Sequence, residues 1–139
     1  MATDFLDAHR RHWNDAELLF RETRWANADH LFGLAAECGL KRLMIAFGMS
    51  VDPVTGTPQI RNDKVHANRV WARYESYRSG HNAGVNYTLP AVEPFQDWDI
   101  SQRYAHSDDF TKVIAESHRN GAKSVHSLIN KAILEGIIL

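Results

Sequence analysis

With 139 residues, 44% of them hydrophobic and 24% charged, the chain has the size and composition of one globular domain and not those of a disordered or fibrous segment. A formal net charge of -1 supplies no global positive field, so any contact with nucleic acid has to use a local patch. The single cysteine, Cys38, excludes an intrachain disulfide and a multi-cysteine zinc site, and it fits a reducing compartment.

The first predicted element runs from Thr3 to about Trp25. Phe5, His9, Trp13, Ala16 and Phe20 recur there at steps of three and four, with Arg10, Arg11, Asp15 and Glu17 on other faces. Thr3 is the expected N-cap. The N-terminal stretch MATDFLDAHRR lacks the apolar centre of a signal peptide, and no apolar run is long enough to span a bilayer. A cytoplasmic protein without membrane contact is therefore expected. A second helix is expected from Asn27 to Phe47, with Asn27 as cap, Gly48 as stop, and Leu31, Leu34, Ala35, Cys38, Leu43 and Phe47 forming an apolar stripe. Gly33 and Gly39 weaken such a helix by about 1 kcal/mol each relative to Ala, which close approach of a neighbouring helix would offset.

Residues 49–63 contain two prolines, a glycine and turn-forming polar residues, and predict a long surface loop. Asn62 or Asp63 is expected to cap a third helix reaching Arg78, with Val65, Val70, Trp71, Tyr74 and Tyr77 as its aromatic-rich face. Residues 81–97 predict a second long loop anchored by Tyr87 and Phe95. A short helical turn from Trp98 to Tyr104 follows. A long last helix is expected from Ser107, burying Phe110, Val113, Ile114, Val125, Leu128, Ile129 and Ala132. No repeat or serine- and glycine-rich linker divides the chain, so a single all-α domain over residues 1–139 is expected, an up-and-down bundle of four to five helices with two long loops.

Three polar groups carry the candidate chemistry. Glu37 precedes Lys41 by four residues, the favourable order for an ion pair on one helix face. His66 opens the third helix, where Arg69 and Arg73 share its side and extend a basic strip suited to phosphate. Trp98, Arg103, Tyr104 and His106 crowd just ahead of the last helix, whose free N–H groups attract anions, although Asp108 and Asp109 compete there. An equally weighted alternative fixes Arg103 on Glu37 or Asp99. The other histidines, among them His9, His30, His118 and His126, are spaced for core edges or solvated faces, and neither a metal site nor a cofactor is expected.

Taken together, AAECGLK on the second helix, DKVHANRVW at the third and DISQRY before the last resemble the HEPN family of small helical bundles. The resemblance implies ligand-binding roles for Glu37, Lys41, His66, Arg103 and Tyr104. It also implies a homodimer that binds a nucleotide or RNA, in some members in support of a nucleotidyltransferase partner. A metal-independent endoribonuclease using His106 and Arg103 is the alternative. Nuclease members resemble one another in an Arg and a His separated by about four to six residues, whereas Arg103 and His106 have only two between them. The accessory, phosphate-binding branch is therefore the closer likeness, and a non-catalytic interaction domain is the third reading.

Overall fold

In the computed structural model, which describes residues 1–139, the chain forms a helical bundle of four α-helices: α1 (Phe5–Arg21), α2 (Trp25–Ala46), α3 (Ala67–Ser79) and α4 (Lys112–Leu134). Short 3-10 turns punctuate the connections at Arg61–Asp63, Asn82–Asn86, Ile100–Tyr104 and Ser107–Asp109. The long loop after α2 contains one isolated β-bridge, Val51 to Pro58. No helix is long and apolar enough to cross a membrane.

The centre of the bundle is α2, against which α1, α3 and α4 all pack. Its small and apolar residues Ala28, Phe32, Ala36, Leu40, Leu43 and Met44 are wholly buried, and this is why the element is apolar on more than one face. From α3 come Val70, Trp71 and Tyr74, and from α4 Ala122, Val125, Ile129 and Ala132, into one continuous apolar cluster. The loop of residues 81–97 closes over that cluster through Tyr87 and Phe95, both fully buried as expected. Burying such aromatic side chains from irregular chain is what fixes the loop without regular structure.

Helix boundaries differ from the sequence reading where a capping side chain is already engaged. Asp4, not Thr3, caps α1, accepting from Leu6 N at 3.1 Å and Asp7 N at 3.0 Å. The N-terminus of α2 extends past Asn27 to Trp25 and has no side-chain cap. Asp63 does not cap α3: its carboxylate is buried and accepts from Arg73 Nε at 2.5 Å and from the Tyr77 hydroxyl at 2.6 Å, so the helix starts later, at Ala67. The last helix begins at Lys112 rather than Ser107, because Thr111 supplies its cap while Asp108 and Asp109 belong to a separate turn. That shift leaves Val113 exposed and Phe110 only half-buried, contrary to the expected buried face.

Both helical glycines of α2 stand where a side chain has no room, although only one of them faces another helix. A Cβ on Gly39 would come within 2.7 Å of His9 Nδ1 on α1 and 2.6 Å of Val125 Cγ1 on α4. A Cβ on Gly33 would fall 2.1 Å from the indole of Trp98, which belongs to the segment leading into the Ile100–Tyr104 turn.

Candidate functional site

Three of the sequence-predicted residues meet. Glu37 and Lys41 lie one helical turn apart on α2, nearly buried, and Lys41 Nζ donates to Glu37 Oε1 at 2.9 Å. The other carboxylate oxygen faces His66 Nδ1 at 3.2 Å. His66 comes from the N-cap position of α3, in extended conformation and with no side-chain cap bond, so it sits just before the helix and not within its first turn. A carboxylate that is nearly buried needs this much pairing, because an unpaired charge away from water is costly. Glu37 thus ties α2 to the start of α3 and leaves His66 half-exposed beside the ion pair.

Two adjoining concavities share Lys64 and His66. One, of about 350 Å³, is lined by Thr3, Phe5, Lys41, Thr57 and Pro58 in addition to that pair. The other, of about 240 Å³, lies at the N-terminus of α3 and adds Asn68, Arg69, Asp99 and Ile100. Cations therefore outnumber carboxylates around the second, where the uncapped N–H groups of a 13-residue helix also converge. The expected basic strip is shorter than its sequence suggests, because Arg73 is held by Asp63 and lies over the Tyr77 ring, leaving Arg69.

Arg103 and Tyr104 end the 3-10 turn Ile100–Tyr104. Arg103 forms an ion pair with neither Glu37 nor Asp99; its guanidinium lies 4.8 Å from the centre of the Tyr104 ring, which is 80% exposed. Asp99 instead starts the turn through a capping box with Gln102. His106 stands farther along, exposed, accepting from the Asp108 backbone N–H at 3.1 Å through Nδ1. Trp98 is withdrawn from any ligand: it is buried, its indole N–H donates to the Asp29 carbonyl at 3.2 Å, and Tyr104 is the ring left open for stacking.

Residues outside the sequence-predicted site hold this turn in place. His118, on α4, is wholly buried and donates from Nδ1 to Asp29 Oδ1 at 2.5 Å and from Nε2 to Asp97 Oδ1 at 2.7 Å. Both ring nitrogens face carboxylates, so both carry protons. Burial opposes the charge, yet hydrogen bonds and charge from Asp29 and Asp97 hold the His118 pKa above its ordinary value. The second oxygen of Asp29 accepts from Gln102 Nε2 at 2.7 Å, which joins α2, α4 and the Arg103 turn in one polar knot. Histidine here is a buried, charged anchor, not the core-edge residue its spacing implied.

His30, expected at a core edge or a solvated face, lies in the same region. Its ring stacks parallel to Trp98 at 5.7 Å, and its Nδ1 is buried without a partner. Burial first, and the charge of Arg103 second, push its pKa down, against the opposing pull of Asp29 and Glu37. The imidazole is neutral and lies in the field of both the Arg103 turn and the Glu37 cluster. A sequence signal existed, since His30, Glu37 and Lys41 are spaced seven and four apart and so share one stripe of α2. Cys38 adds no nucleophile: burial and the nearby Glu37 push its thiol up to about 12.

No group of three or more His, Cys, Asp or Glu side chains is arranged so that it could hold a metal ion. No protein-family model, curated protein or solved structure compared with the chain matches it.

Proposed function

We propose that the chain is a HEPN-like module that binds the phosphate of a nucleotide or of RNA, in an accessory role beside a nucleotidyltransferase and as a homodimer. The observation that carries the reading is the pair of adjoining concavities joined at Lys64 and His66, with Arg69 and the free N–H groups of α3 at one rim. Phosphate suits such a place because backbone N–H groups, a helix dipole and two cations all favour an anion. Asp99 and Ile100 bring the following turn to the second concavity, and its exposed Arg103 and Tyr104, which line neither concavity, supply in this proposal a guanidinium and a ring face for the rest of the ligand. Asp99 at the same rim disfavours highly charged ligands near it, and nucleoside monophosphates and RNA termini are the better matched probes.

The test is ligand-induced thermal stabilisation. A saturating nucleotide, at about 100 times its dissociation constant, adds roughly 2.7 kcal/mol to the native state. Arg103→Ala and Lys64→Ala are each expected to abolish most of that gain while leaving the unliganded melting temperature within a degree or so, since both side chains are exposed. Melting that is the same with and without nucleotide or RNA refutes the reading. Incubating RNA with the full chain and a chelator separates binding from cleavage: intact RNA retains the accessory role, and cleavage lost in His106→Ala shifts the assignment to an endoribonuclease.

A further inference from the structure

A separate groove of about 740 Å³ runs between the outer face of α3 and the strap of residues 88–96, and it shares no lining residue with the concavities at His66. Trp71 and Tyr74 form its floor on the helix side, and Leu89, Pro90 and Val92 line the strap side. The strap is held at its middle by the Trp71 indole N–H, which donates to the Pro90 carbonyl at 3.0 Å.

Glu93 lines this groove, and its Oε1 is buried with no hydrogen-bond partner. Nearby charge does not serve it. Arg78, the groove's cation, is engaged in a two-point ion pair with Glu75 and donates further to the Gly84 carbonyl. Burial alone pushes the Glu93 carboxyl above the usual range. A buried acceptor left without a donor is destabilising, and a bound donor would relieve it.

We propose that this groove binds a small primary ammonium carrying an apolar or aromatic body, with the ammonium on Glu93 and the body against Trp71, Leu89 and Val92. Charge complementarity selects the class: the groove offers one unpaired carboxyl, no free cation and a wall that is largely apolar. An ammonium head brings three N–H donors to the Glu93 carboxyl, which has no other partner, and the apolar body packs on the Trp71 side of the groove. The volume falls within the range of ordinary small-molecule pockets, about 300–1,000 Å³.

Calorimetric titration of the full chain with phenethylammonium tests this, with 2-phenylethanol as the neutral analogue of the same shape. Saturable binding is expected, weakened about tenfold or more when the ammonium is replaced by the hydroxyl or when Glu93→Gln is used. No binding up to millimolar concentration overturns the proposal, as does equal binding of the neutral analogue or by the variant. Should Glu93→Gln fail to fold by circular dichroism, a carboxyl 13C titration of the wild-type chain replaces it, with Glu75 and Arg78 as the other charged groups lining the groove. Phenethylammonium must then lower the Glu93 midpoint, and an unmoved midpoint overturns the assignment. Nucleotide-induced stabilisation stays intact in either case, which keeps this outcome distinct from that of the phosphate site.

Discussion

Two buried histidines, His9 and His118, sit on opposite sides of the protonation balance, and the contrast shows how partners decide charge when burial is equal. His9 donates from Nδ1 to the Ala35 carbonyl at 2.7 Å and meets His126 Nδ1 at 3.0 Å through Nε2. With its one proton on Nδ1, neutral His9 leaves Nε2 free to accept from His126 Nδ1–H. Burial, with help from His126, accordingly pushes its pKa down to about 4 despite the favourable carbonyl. His118 is buried as deeply, but two carboxylates face it and keep it charged. The α1 side of the bundle is thus closed by a neutral polar contact, and the side carrying the Arg103 turn by an ionic one.

The largest expected effect comes from breaking the ionic side. His118→Phe preserves a ring beside Phe95 but leaves Asp29 fully buried with Gln102 as its remaining side-chain partner. Removing one member of a buried pair typically costs about 3–5 kcal/mol, and urea denaturation should show a loss of that size. Adding Asp29→Asn to that variant should recover part of the loss, since no buried carboxylate then remains to be stranded. A cost under about 1 kcal/mol for the single variant would mean that the Asp29 charge is not carried by His118.

Next in size is the acid limb of the stability curve. For His9 the folded value lies below the unfolded one, near 6.5, so between those values the unfolded chain binds more protons and stability falls as pH falls. At about 1.4 kcal/mol per unit of separation, the loss from about pH 6.5 down to about 4 is on the order of 3 kcal/mol. His9→Gln stays neutral throughout and should remove that slope from the difference between the two denaturation curves. For His118 the sign is reversed: its raised folded value makes its contribution complete below the unfolded value, and that contribution is lost as pH rises through the folded one. The two histidines thus pull the stability curve in opposite directions, and His12, His30 and His126, whose values are also lowered, add to the acid limb.

Each region also has its own glycine, which supplies a third and smaller comparison. Gly39→Ala presses on His9 and Val125, and Gly33→Ala presses on the Trp98 indole. Each overpacking is expected to cost about 1–3 kcal/mol, offset in part by the better helix propensity of Ala. Only the Gly33 variant should speed hydrogen exchange in residues 98–104 and reduce nucleotide-induced stabilisation, because Trp98 leads directly into the turn that carries Arg103.

These contrasts mark where local sequence pattern stops being informative. The helices were legible because apolar residues repeat at helical spacing, and the Glu37–Lys41 pair because four residues on a helix is one turn. His66 reached the same cluster through a resemblance and through its place at a helix start. Nothing local announces the knot of Asp29, Asp97 and His118, whose members come from α2, a loop and α4 and are 89 and 21 residues apart. The start of α3 departs from its local pattern for a related reason, since Asp63 looks like a cap until Arg73 and Tyr77, 10 and 14 residues on, take its oxygens.

The smallest prediction separates the two carboxylates of the knot. Asp97 is 74% exposed at its side chain while Asp29 is 1% exposed, so water screens the first and not the second. Asp97→Asn should therefore cost less than about 1 kcal/mol, as for other partly solvated pairs. The His118 titration midpoint, followed by NMR, should nonetheless drop, because an amide oxygen accepts from Nε2–H without favouring the imidazolium charge as a carboxylate does. By linkage, the His118 contribution is lost at lower pH in this variant, and the contribution of His9 to the acid limb stays where it was. A His118 midpoint that does not move would assign the proton to Asp29 alone and reduce Asp97 to a surface contact. The Arg103 turn would then be held by Gln102 and Trp98 without help from the loop carboxylate.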